Sequence, residues 1–180
     1  MKRFIAFLRA INISGHNLQM ELLRQLFQDL GYAKVETFIA SGNVIFETPI
    51  EDTLGLEQSI RTKLRDGLGY DVAVFIRTDV EVAAIAAYQP FSQAKMDAAV
   101  AFNVAFLSVS PDEQSNLKLM ALISSIDDFH IYKREIYWIC RKKQSESSFS
   151  NAVLEKTIGM QTSLRGINTI KKLSAKYPAS

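Results

Sequence analysis

The chain has one cysteine, Cys140, so no internal disulfide can staple the fold, and stability must come from a hydrophobic core. A lone cysteine fits a reducing compartment, and the expected location is cytoplasmic. Histidine is nearly as scarce. His16 and His130 are the two present and share no metal-ligand spacing, so neither a structural zinc site nor any other cofactor is implied. An excess of one charge sign is missing as well. Twenty-one Lys and Arg against 19 Asp and Glu leave a net charge of +2, too small for a general attraction to nucleic acid, so any basic surface must be local. Long apolar runs are absent too: Ile5–Leu8 and Ala98–Phe102 are strand-length, far short of the roughly 20 residues that cross a bilayer, and no membrane span is expected. The opening Met1-Lys2-Arg3-Phe4-Ile5-Ala6-Phe7-Leu8-Arg9 begins like a leader peptide. Arg9 interrupts its apolar stretch and no small-residue cleavage site follows, so it reads as a first strand.

What is present is ordinary globular material: 180 residues, 48% hydrophobic and 22% charged. A fold of this size hides roughly 70% of its unfolded surface. Lys2–Leu8 is β-rich, and the turn-formers Asn12–Asn17 lead to a helix with Leu22, Leu23, Leu26, Phe27 and Leu30 on one face, stopped by Gly31. Val35–Ala40 and Val44–Glu47 flank Ser41-Gly42-Asn43 as a hairpin. Leu56, Ile60, Leu64 and Leu68 give a second amphipathic helix, and Val72–Ile76 a fourth strand. A Thr78-x-x-Glu81 capping box opens a connecting helix that ends near Tyr88-Gln89-Pro90.

After a linker at Gln89–Asp97 the pattern restarts. Val100–Ser108 is a strand, and Ser110-Pro111 with Asp112 and Glu113 starts a helix whose buried face is Leu119, Leu122, Ile123 and Ile126. Phe129–Tyr132 and Ile136–Cys140 form a second hairpin, with Trp138 read as packed. Ser150–Ile158 is a helix stopped by Gly159, Gln161–Leu164 a short strand, and a last helix runs through Lys176. The expected fold class is therefore α+β: two tandem ferredoxin-like halves (βαββαβ, the alpha-beta plait) at residues 1–78 and 98–180, joined through 79–97, with a C-terminal helix. Ile5-Ala6-Phe7-Leu8 and Val104-Ala105-Phe106-Leu107 open the two halves alike.

In a split β-α-β-β-α-β unit the first and second strands run the same way, so the loop after strand one and the first hairpin emerge at one end. That juxtaposes Arg9, Asn12, Ser14, Gly15, His16 and Asn17 with Ser41, Gly42 and Asn43. The loop also enters a helix, whose free N–H groups favour an anion, and arginine grips phosphate or carboxylate bidentately. The same residues fit a structural account: Asn17 as a helix cap, Gly15 as a positive-φ residue and Ser41-Gly42-Asn43 as turn chemistry. A second echo, Leu164-Arg165-Gly166-Ile167-Asn168 against Leu8-Arg9-Ala10-Ile11-Asn12, adds Arg165 and Asn168, followed by Lys171, Lys172 and Lys176. Phe4, Phe7, Phe38 and Phe46 fall at core-like strand positions, and no basic-aromatic RNA-recognition signature is present.

Leu8-Arg9-Ala10-Ile11-Asn12 with Gly15-His16-Asn17, Phe38-Ile39-Ala40-Ser41-Gly42-Asn43-Val44-Ile45-Phe46, Ser150-Asn151-Ala152 to Glu155, and Arg165 to Thr169 resemble, in order, a bacterial family called domain of unknown function 1697. The resemblance implies a duplicated ferredoxin-like fold and no activity. Ala10, Ala40 and Gly166-Ile167 depart from the family pattern, which has glycine, glutamine and asparagine-tryptophan there. Arg9, Asn12, Ser41, Gly42, Asn43, Arg165 and Asn168 match it.

The function expected is binding of an anionic ligand, the phosphate of a nucleotide or of nucleic acid, through Arg9, Asn12, Gly15, His16, Asn17, Ser41, Gly42, Asn43, Arg165 and Asn168. One alternative is an enzyme with His16 as acid or base and Arg9 polarising a substrate oxygen. The other is a structural or protein-interaction module whose motifs hold turns.

Overall fold

The computed structural model describes residues 1–9, 20–39 and 42–180. The chain divides into two compact units, Met1–Ile85 with Leu173–Ser180, and Ala86–Lys172. Each holds one four-stranded antiparallel sheet, and the described residues form seven α-helices.

In the first unit the elements run β1 (Lys2–Arg9), α1 (Met20–Asp29), β2 (Ala33–Thr37), β3 (Asn43–Thr48), α2 (Thr53–Leu68), β4 (Ala73–Thr78) and α3 (Asp79–Ala87). The strand order is β2-β3-β1-β4, which puts β1 in the middle beside β3. Alternating strand residues Phe4, Ala6, Leu8, Val44, Phe46, Val74 and Ile76 meet Leu23, Leu26 and Phe27 of α1 and Leu56, Ile60 and Leu64 of α2. Strand period two and helix period near four thus converge on one core. Its centre is aromatic, with Phe46 stacked on Phe4 at 5.7 Å and on Tyr32 at 4.7 Å. Leu22, expected on the buried face of α1, is 42% exposed, because it falls about 100° from Leu23 and about 140° from Phe27 around the helix, at the margin of the apolar face.

Local chemistry sets the ends of these elements. Asp52 caps α2 by accepting the Gly55 N–H at 3.1 Å, and Gly69 closes it at φ 81°, where a Cβ is penalised. The Thr78–Glu81 capping box forms as expected, with Glu81 accepting the Thr78 N–H at 2.8 Å and Thr78 accepting that of Glu81 at 3.1 Å. Buried Glu57 of α2 accepts the Ile76 N–H at 2.8 Å, tying the helix to edge strand β4. The segment 177–180 is clasped onto this unit: Tyr177 donates to Glu36 at 2.7 Å, and Arg3 donates to the Pro178 carbonyl at 3.2 Å.

The second unit carries α4 (Gln93–Asp97), β5 (Ala101–Phe106), α5 (Glu113–Met120), β6 (Asp127–Tyr132), β7 (Glu135–Cys140), α6 (Asn151–Ile158), β8 (Ser163–Gly166) and the start of α7 (Ile167–Lys176). Its strand order, β6-β7-β5-β8, repeats the first. The expected linker at 89–97 contains α4, capped by Ser92 accepting the Lys95 N–H at 3.4 Å. Helix α5 starts later than the Ser110-Pro111 signal suggests, because Asp112 is the cap and accepts from Ser115 at 2.7 Å. It also stops at Met120, before its expected apolar face is complete. Leu119 is buried, but Leu122 and Ile123 lie beyond the helix and are 39% and 41% exposed. Trp138 anchors this core, 4.9 Å from the Phe149 ring, with its indole N–H on buried Asp127 at 2.8 Å. Ser147 donates to the other Asp127 oxygen at 2.6 Å, so the carboxylate is doubly satisfied.

Candidate functional site

The end of the first sheet is assembled by one backbone contact. Leu8 N–H donates to the Gly42 carbonyl at 2.8 Å, and Phe7 faces Asn43 in the β1–β3 register. Arg9, which closes β1 and is half-buried, therefore adjoins Gly42 and Asn43. Asn43 is 1% exposed, and its side-chain N–H donates to the Phe38 carbonyl at 3.0 Å while its own carbonyl accepts the Phe38 N–H at 3.0 Å. Its amide locks the hairpin. Gly42 sits at φ 75°, and Ile39, 52% exposed, sits at φ 51°, a left-handed conformation that a β-branched residue adopts only at a cost. Of the other expected site residues, Asn12, Gly15, His16, Asn17 and Ser41 lie outside the described residues.

Arg165 and Asn168 belong to the second unit. Arg165 lies within β8 rather than after it, because that strand runs two residues further than its apolar pattern. Its guanidinium donates to the Ser163 hydroxyl and the Leu164 carbonyl, both at 2.9 Å, and burial pushes its pKa down to about 10, which leaves it charged at neutral pH. Asn168 is exposed in the first turn of α7. The echo between Leu8-Arg9 and Leu164-Arg165 is not a structural equivalence. Arg165 pairs with Val104 in register, as Arg77 of β4 pairs with Ile5. Arg77 is its counterpart, fully buried and donating to the Ile76 carbonyl at 2.8 Å. Lys176, one of the expected phosphate-facing lysines, lies 3.6 Å from Glu36 and over the Phe38 ring.

A second feature had no signal beyond linker composition. The second unit holds a cavity of about 320 Å³ walled by Tyr88, Phe91 and Phe102, with Ile167 and Lys171 one turn apart on α7. The Tyr88 hydroxyl meets His130 Nε2 at 2.9 Å, and its ring stacks on Tyr132 at 4.7 Å. Tyr88 and Phe91 come from the connection, Phe102 and His130 from strands. Packing of the connection against the sheet unites them, through contacts that sequence spacing does not carry.

Burial pushes the Cys140 thiol up, with Asp127 adding to the effect, so it is no thiolate nucleophile. Among the described residues no group of three or more His, Cys, Asp or Glu is placed to hold a metal, and no helix is long and apolar enough to cross a membrane.

Residues 1–137 match a family described as "Protein of unknown function (DUF1697)". The chain belongs to the DUF1697 family. A search of curated proteins returned no match for this DUF1697 member. A solved structure, described as that of the conserved bacterial protein SP0830 from Streptococcus pneumoniae, is similar to it with a TM-score of 0.77 at 18% identity over 98% of each chain. At that identity the likeness speaks for the fold alone. The family match ends before the Ser150-Asn151-Ala152 to Glu155 stretch, and a structural clasp accounts for those residues. Ser150 caps α6 by accepting the Val153 N–H at 3.2 Å, while Glu155 accepts the Thr162 N–H at 2.8 Å.

Proposed function

We propose that this protein binds an anionic, phosphate-bearing ligand, a nucleotide or a nucleic-acid phosphate, at the end of the first sheet. The observation that carries the reading is the Leu8–Gly42 hydrogen bond, which sets Arg9 beside the Gly42–Asn43 hairpin. The second unit supplies an internal control. Leu107 N–H donates to the Arg134 carbonyl at 3.0 Å in the same manner, yet Ser108 follows there and the hairpin residues are Arg134 and Glu135. The backbone connection therefore does not itself demand arginine, glycine and asparagine. Ile39, strained and exposed on the same hairpin, agrees with this, since such conformers cluster at ligand sites. The reading takes Asn12, Gly15, His16, Asn17 and Ser41 as further contacts from their place in the sequence.

The reading rests on a finer fold assignment as well: each half is ferredoxin-like. A βαββαβ order with the first strand beside the third supports that assignment in both units. The test is Arg9→Ala. It is expected to weaken binding of AMP or a short oligonucleotide about tenfold, the effect of one lost charge-assisted hydrogen bond, with the melting temperature held. Equal losses of affinity and stability would make Arg9 a structural residue, and unchanged affinity would remove it from the site.

A further inference from the structure

The cavity of the second unit is a separate matter, sharing no residue with the Arg9 site. We infer that it binds a small planar aromatic anion, with the ring held by Phe91, Phe102 and Tyr88 and the acidic group by Lys171. Its volume of about 320 Å³ is at the small end of ligand sites, enough for one or two fused rings and an acidic substituent. The walls already show how a ring would be held. Phe91 and Phe102 both line the cavity and stand edge to face at 76° with centroids 6.0 Å apart, so their planes meet near a right angle and a further aromatic can pack against this pair.

The charge of the ligand follows from the lining. Among the described residues that line the cavity Lys171 is the cation and none is a carboxylate, and the Tyr88 hydroxyl is engaged by His130. Ile167 is buried and Lys171 exposed, so the ammonium stands at the mouth, one helical turn above an apolar wall. Exposed Gln89 adds an amide group at the same rim, while the neighbouring Gln93 gives its side-chain N–H to Asp97 at 2.7 Å. The walls are also held in place before any ligand arrives. Tyr88 is fixed through His130 and Tyr132, and Lys95 of α4 pairs with buried Asp128 of β6 at 2.6 Å. A preformed site loses less entropy on binding.

The experiment is an amide-resolved NMR titration of the full chain with indole-3-carboxylate. Expected are shifts clustered on Tyr88, Phe91, Phe102 and Lys171, at about millimolar affinity for a fragment of this size. Lys171→Gln, at an exposed position, should weaken indole-3-carboxylate about threefold to fivefold and leave indole unchanged. Ala87→Trp, also exposed, should fill the mouth and abolish both sets of shifts. Phenyl phosphate in place of the carboxylate decides the acidic group, since tighter binding of either supports the site and names its anion. The inference is overturned by no shifts at roughly 10 mM probe, by shifts centred elsewhere, by equal binding of cyclohexanecarboxylate, or by an unchanged carboxylate affinity in Lys171→Gln. Arg9→Ala should leave this titration unaltered, so the failure of either site is separable from the other.

Discussion

The two halves build one backbone plan from different chemistry. Their central strands carry Phe7 opposite Asn43 and Phe106 opposite Glu135, and their fourth strands carry Arg77 opposite Ile5 and Arg165 opposite Val104. Both arginines reach back to the preceding carbonyl, at 2.8 and 2.9 Å. Beneath that shared register the cores part. The first is apolar, centred on Phe4, Tyr32 and Phe46, whereas the second turns on an indole donating to a buried carboxylate. What this teaches is that register is the property common to the halves. Side chains at equivalent positions are free to specialise, as Arg9 and Ser108 do.

The contrast breaks most readily at Trp138. Trp138→Ala should cost about 3–5 kcal/mol, because it empties the core of the second half and leaves Asp127 short of a donor. Urea unfolding followed by circular dichroism measures it. A loss under about 1 kcal/mol would mean that the second core does not depend on its indole.

A finer test compares the counterpart arginines. Arg77 is fully buried and Arg165 half-buried, so Arg77→Ala should cost about 3 kcal/mol and Arg165→Ala about 1 kcal/mol. The same urea titration serves, and fluorescence of the lone tryptophan, Trp138, reports on the second unit by itself. Equal costs would show that matched register imposes matched roles.

The smallest effect concerns a surface pair in the first half. Hydrogen bonding from Arg61 holds the Asp71 carboxyl below its ordinary value. A carboxylate depressed in the folded state contributes stability that is present above its unfolded pKa, near 4, and is lost as pH falls from there through the lower folded value. Asp71→Asn should therefore flatten the acid-side decline. At neutral pH it should cost less than about 1 kcal/mol, since the two side chains are 44% and 45% exposed. Unfolding free energies at pH 3 to 7 decide it, and an unchanged acid slope would remove the pair from the balance.

Much of the frame was legible in the residues. The period-four apolar positions of α2, the Thr78–Glu81 box and the repeated Ala-Phe-Leu opening are local signals, and the structure uses each where it falls. The errors came where a repeated pattern ran past the point at which the chain turns or pairs. Leu122 and Ile123 continue a helical pattern, but the helix ends at Met120 and the chain turns toward β6, with Ser124 N–H donating to the Asp127 carbonyl at 2.9 Å. The match between Leu8-Arg9 and Leu164-Arg165 misled for the same reason, since a string of residues carries no strand position.

By itself the sequence determined the order of the elements and the faces that most of them bury, because period and turn chemistry act over a few residues; that order, read as a split β-α-β-β-α-β unit, also put Arg9 near the first hairpin. The tertiary structure alone decided that Arg77 is the partner position of Arg165. It alone decided, too, that Tyr88, Phe91 and Phe102 wall one cavity. Pairing between strands sets the first relation and packing of the connection on the sheet the second, and neither is written in the separation of the residues along the chain.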